Sequence, residues 1–121
     1  MNIEELQALC TSFKAVTEDI KWDNDLCFSV GGKMFCVASL EKPLRISFKV
    51  ADEVFDELAI REGFMPAPYL ARAKWVSVTD LTQVKQKELH PLITQSYKLV
   101  CQKLTKKVRK ELGLGLNPLF S

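Results

Sequence analysis

Apolar and polar positions recur along the chain with two different periods, and the switches between them mark out the elements. Ile3, Leu6, Leu9, Cys10 and Phe13 return every three or four residues, the spacing of one helix face. Asn2 followed by Glu5 has the spacing of a capping box, so a first helix is expected to start beside Asn2. The polar run "TEDIKWDND" is expected to be an exposed connection. "LCFSV" then places Leu26, Phe28 and Val30 on one face by period two, Gly31-Gly32 supplies the positive φ of a tight turn, and "KMFCVAS" returns as the partner strand. "LRISFKV" alternates again, with Leu44, Ile46, Phe48 and Val50 on one side and Arg45, Ser47 and Lys49 on the other. The first side belongs to a core; the second faces water or a ligand.

A short second helix is expected over 52–62. Val54, Phe55 and Leu58 form its apolar stripe, acids fill its first turn, Arg61 sits in its last and Gly63 stops it. In "FMPAPYLARAKWVSVT", Pro66 and Pro68 force extended backbone before them and remove two ladder donors, so 64–70 is expected at a sheet edge. "ARAK" is expected to be a hairpin tip leading into the strand "KWVSVT". From about Val84 to Lys103 or beyond, Leu89, Leu92, Ile93, Ser96, Tyr97, Val100 and Leu104 share one helical face, the largest apolar stripe in the chain. Thr105 can cap a further turn, "KKVRKEL", which Gly113 ends.

The resulting order is one helix, three strands, a helix, two strands and a long helix. It predicts a two-layer α+β domain, α-β(3)-α-β(2)-α, with the helices packed on one face of a mostly antiparallel sheet. Residues 1–112 form the expected domain and 113–121 a short apolar tail. At 121 residues, a single domain can bury roughly 65% of the surface of its unfolded chain without a disulfide or metal.

Composition narrows the chemistry. Cys10, Cys27, Cys36 and Cys101 are widely spaced within apolar runs, have one distant histidine, His90, and lack the paired spacing of a zinc site. They are expected to act as small buried hydrophobes, and no metal or cofactor is expected. Glu18, Asp19, Asp23 and Asp25 lack the ordered spacing of a calcium loop. No catalytic constellation is visible, so the chain is expected not to be an enzyme. Its longest apolar run, Met34 to Ala38, is far short of a membrane span, and "MNIEELQALC" has acids where an export signal has bases. A cytoplasmic location with no membrane partner is the expectation.

Charge is polarised along the chain. Residues 1–60 carry six Lys and Arg against eleven Asp and Glu, whereas residues 61–121 carry eleven against four. Between Lys98 and Lys110 lie six cations and no acid, on what is expected to be the outer side of the last helix. Such a set either meets phosphates or simply solvates a helix face.

The segments "VTEDIKWDNDLCFSVGGKMFCV", "RISFKV", "PAPYLARAKWVSVTDL" and "SYKLVCQKLTKKVRKEL", in this order, resemble the MmcQ/YjbR family over roughly 1–112. The resemblance implies the same element order and DNA binding through a double wing, two β-hairpins flanking helical elements. On this chain the wings would be the turn at Gly31, Gly32 and Lys33 and the turn at Arg72, Ala73 and Lys74. With Lys98, Lys103, Lys106, Lys107, Arg109 and Lys110, the cations Lys33, Arg72 and Lys74 form the candidate phosphate-binding set. An RNA-stacking reading would draw on Tyr69 and Trp75. The competing reading is a homodimeric protein-interaction module, resembling secretion chaperones, that uses an edge strand and the apolar segment Leu114 to Phe120.

Overall fold

The structure, a computed structural model, describes residues 1–22 and 24–114. The first helix, α1, spans Ile3–Ser12. The Asn2 side chain accepts from the Glu5 backbone N–H at 2.8 Å, and the Asn2 N–H donates back to the Glu5 carboxylate at 3.0 Å, completing the capping box.

The run after α1 departs from expectation. Val16–Lys21 is a strand, β1, paired antiparallel with β2 (Asp25–Val30) from Val16 opposite Val30 to Lys21 opposite Asp25. It forms an edge of the sheet and is exposed along nearly its whole length, so burial imposes no alternation on its sequence. Glu18 and Asp19 therefore lie on a strand instead of in a connection; Asp23 lies outside the described residues. The sheet consequently has six strands where five were expected.

β2 turns through Gly31 (φ 60°) and Gly32 (φ 80°) into β3, Lys33–Ser39, as the glycine pair requires. Between Phe28 and Ser29 the register slips, and both Phe35 and Cys36 are buried on the core side. β4 is Arg45–Lys49, α2 is Asp52–Ala59, β5 is Phe64–Pro66 and β6 is Trp75–Val78. α2 ends before Arg61, which instead pairs with Glu88. The strand order is β1-β2-β3-β4-β6-β5, with every neighbouring pair antiparallel. β5 occupies the second edge, where Pro66 costs no ladder bond, and Pro68 lies in the loop beyond it.

"ARAK" is not a tight hairpin tip. Residues 67–74 form a folded loop between β5 and β6, containing a 3-10 turn over Ala71–Ala73 that Lys74 closes in left-handed backbone. Without an Asn-Gly or Gly pair, the segment wraps onto itself: Leu70 N–H donates to Ala67 and Trp75 N–H donates to Leu70.

The long helix α3 runs over Gln86–Lys103 and the shorter α4 over Lys106–Glu111. Leu104 is extended between them, and the Thr105 hydroxyl caps α4 by accepting from Val108 N–H. Leu89, Ile93, Tyr97 and Val100 of α3 join Leu6 and Cys10 of α1 over Phe28, Cys36, Ile46, Phe48, Val76 and Val78 of the sheet. Leu58 of α2 belongs to the same cluster. Helices thus cover one face of an antiparallel sheet, giving the α+β fold; among the described residues, the opposite face carries no α-helix.

Candidate functional site

Antiparallel order decides which turns share an end of the molecule. The Gly31-Gly32 turn, the end of β4 and the start of β6 lie at one end of the sheet. The α3–α4 junction comes to the same place, because a Cβ on Gly31 would lie 2.7 Å from the Leu104 Cδ2. Gly113, just beyond α4, approaches Lys14, which leads into β1 at this end.

Lys33 is exposed beside the glycine turn, and Arg72 is exposed in the 3-10 turn. The strands they flank, β3 and β6, are separated by β4 alone, so two strand spacings of about 10 Å lie between them. Lys103 is exposed at the end of α3, and Lys106, Lys107 and Lys110 are exposed on α4. Three of the nine candidate cations are less available. Lys74 is half-buried with its ammonium over the Phe55 ring, 4.9 Å from the centroid. Lys98 is half-buried midway along α3. Arg109 is half-buried, and its Nε is enclosed without a hydrogen-bond partner. The cations from Lys98 to Lys110 do not line one helix, because the chain breaks at Leu104.

Lys49 joins this end although the cation set omits it. Its Nζ donates to the Ala73 carbonyl at 2.6 Å, tying β4 to the 67–74 loop. Burial pushes its pKa down, Lys103 pushes it further the same way, and Asp52 opposes them. Asp52 and Glu53, at the start of α2, are the acids that follow β4 here. The alternation of "RISFK" already placed Lys49 on the non-core side; its loop partner could be found only in the fold.

The helix-free face holds a second feature, a groove of about 590 Å³. Its floor comes from Val37 and Ser47, which are opposite each other, and from the cross-strand row Asp25, Ser39 and Arg45. Trp22 forms one rim; Pro68, Tyr69 and Leu70 form the other. Trp22 is 67% exposed and Tyr69 fully so, whereas Trp75 is 5% exposed. Of the two aromatics on which a stacking reading would draw, only Tyr69 is accessible, and Trp22 takes the other place. Trp22 (φ 49°) and Tyr69 (φ 65°) both have left-handed backbone, uncommon for large side chains.

The four thiols are buried. Burial raises the Cys36 pKa well above its ordinary value, with Cys10 adding to the shift, and burial also raises Cys27 and Cys101. Cys27, Cys36 and Cys101 are therefore neutral packing groups near pH 7. Among the described residues, no group of three or more His, Cys, Asp or Glu side chains could hold a metal ion. None of the described helices is long and apolar enough to cross a membrane.

The family model YjbR matches residues 11–99. The chain belongs to the YjbR family. The crystal structure of Deinococcus radiodurans protein DR2400, with domain DUF419 of the same family, is similar over 93% of this chain and 88% of that one. It has 32% identity and a TM-score of 0.84. A crystal structure of a Pseudomonas syringae protein covers 82% of this chain and 98% of its own, with 21% identity and a TM-score of 0.69, and shares the fold. Among curated proteins, none matches. YjbR membership accounts for the α+β architecture.

Proposed function

We propose that the protein binds DNA without catalysing a reaction, meeting phosphates with the basic end of the sheet. The observation that carries this reading is the contact of Gly31 with Leu104, which holds the Lys33 turn against the junction between Lys103 and the α4 lysines. Arg72 extends the set from the 67–74 loop. These cations come from separate elements fixed by packing, so their charges arrive together at low entropic cost. Phosphate contacts carry no sequence information, so the affinity they supply is sequence-independent.

The protein-module alternative loses support at both sheet edges. β1 carries Glu18, Asp19 and Lys21, and β5 is short and proline-bounded, which are devices that discourage strand addition. Leu114, the first residue of its apolar segment, is buried in the domain's own core; the rest of that segment lies outside the described residues.

The test is duplex binding across salt. If the exposed Lys33, Arg72, Lys103, Lys106, Lys107 and Lys110 each neutralise a phosphate, log affinity falls against log salt with a slope of about −5. A flat response, or no binding at low salt, would overturn the proposal.

A further inference from the structure

The groove on the helix-free face is built differently from the basic end. Most of its surface is apolar or aromatic, from Trp22, Val37, Pro68, Tyr69 and Leu70, and its volume of about 590 Å³ is that of a small-ligand site. Two charges stand in this lining. Arg45 and Asp25 share a cross-strand row with Ser39 between them, two strand spacings or about 10 Å apart. Neither makes an ion pair among the described residues, where Arg61 with Glu88 is the pair present.

We propose that this groove binds one unpaired nucleotide. Its base would lie against the exposed Trp22 and Tyr69 rings, its phosphate would take the Arg45 guanidinium, and a base N–H would donate to the Asp25 carboxylate. Each part answers a property of the groove: flat apolar rims suit a π-face, a forked donor suits a phosphate, and an acceptor suits an exocyclic amine. The groove itself takes one phosphate, because Asp19 and Asp25 lie on the same sheet face as Arg45 and repel a second. Trp22 and Tyr69 both stand on left-handed backbone, whose conformational cost is of the kind found at binding sites. This site is separate from the basic end, and either can fail without the other.

Trp22 is exposed and Trp75 buried, so quenching of tryptophan fluorescence reports on the groove. Adenosine 5′-monophosphate should quench it, and adenosine should bind about tenfold more weakly for lack of a phosphate. Arg45→Ala should abolish that difference, and Tyr69→Ala should weaken both ligands about tenfold while Tyr69→Phe retains binding. A thermal melt of each variant separates lost binding from lost folding, and duplex affinity should be unchanged by Arg45→Ala. A deoxyadenosine hexanucleotide distinguishes the sources. Tighter binding per nucleotide than the monophosphate identifies a single strand as the occupant; equal binding identifies the free nucleotide. Absence of quenching, or equal affinity for adenosine and its monophosphate in the unmodified protein, would overturn the proposal.

Discussion

Gly31 and Leu104 are in direct contact: the turn between β2 and β3 rests its bare Cα on the leucine that separates α3 from α4. At φ 60°, Gly31 also needs left-handed backbone, so two constraints exclude a side chain there. Gly32, at φ 80°, has open space around it and only the backbone constraint.

Gly32→Ala should therefore cost about 1–2 kcal/mol, and Gly31→Ala more, because Leu104 must also move. Urea denaturation of the two variants measures the difference. Equal losses would mean that the packing of Leu104 on Gly31 contributes nothing.

Reversing charge should act by location. Lys103→Glu or Lys106→Glu should weaken duplex binding and make the salt slope about 0.9 less steep for each phosphate that is no longer neutralised. Lys87→Glu, exposed in the first turn of α3 at the opposite end, should leave both unchanged. Titrations at several salt concentrations provide the comparison, and equal effects at all three positions would point to non-specific charge.

Tyr97 links three elements. Its ring stacks on Phe13 at 4.8 Å and meets Phe35 edge-on at 5.5 Å, while its hydroxyl donates to the Lys14 carbonyl at 2.7 Å. Tyr97→Phe keeps the rings and should cost about 1 kcal/mol, whereas Tyr97→Ala opens a cavity and should cost about 3–5 kcal/mol. Chemical denaturation of both separates the hydroxyl from the packing.

Acid should destabilise the fold. Asn2 lowers the Glu5 pKa chiefly through its backbone N–H, hydrogen bonds from Thr82 lower Asp80, and the Arg61 hydrogen bond lowers Glu88. Each carboxylate favours the folded state while ionised. Its contribution is complete above its ordinary value, 4.5 for the glutamates and 3.8 for Asp80, and fades as pH falls through the lower folded value. Glu88→Gln should flatten this acid limb slightly, since the pair with Arg61 is solvent-screened and contributes below about 1 kcal/mol. Thermal melts from pH 6 down to about pH 3, a range that brackets the ordinary carboxylate pKa values, would show it.

The sequence by itself determined the capping box at Asn2, the glycine turn, the two-sided strand "RISFK" and the apolar stripe of α3. In each, neighbouring residues supply both the signal and its physical cause: a local hydrogen bond, a permitted φ or a face with a fixed period. β1 escaped because an exposed edge strand gains its ladder bonds from a partner and needs no buried face of its own. The slip at Phe28 and Ser29, which buries both Phe35 and Cys36, depends on how two strands pair, and alternation within one strand cannot encode it. The same holds for both candidate sites. Lys33, Lys49, Arg72 and Lys103 are far apart in the chain, and antiparallel strand order together with the packing of Gly31 on Leu104 brings them to one end. Trp22 and Tyr69 became opposite rims of a groove only when the 67–74 loop folded over the helix-free face, because which side of a sheet a loop covers is decided by packing between distant segments.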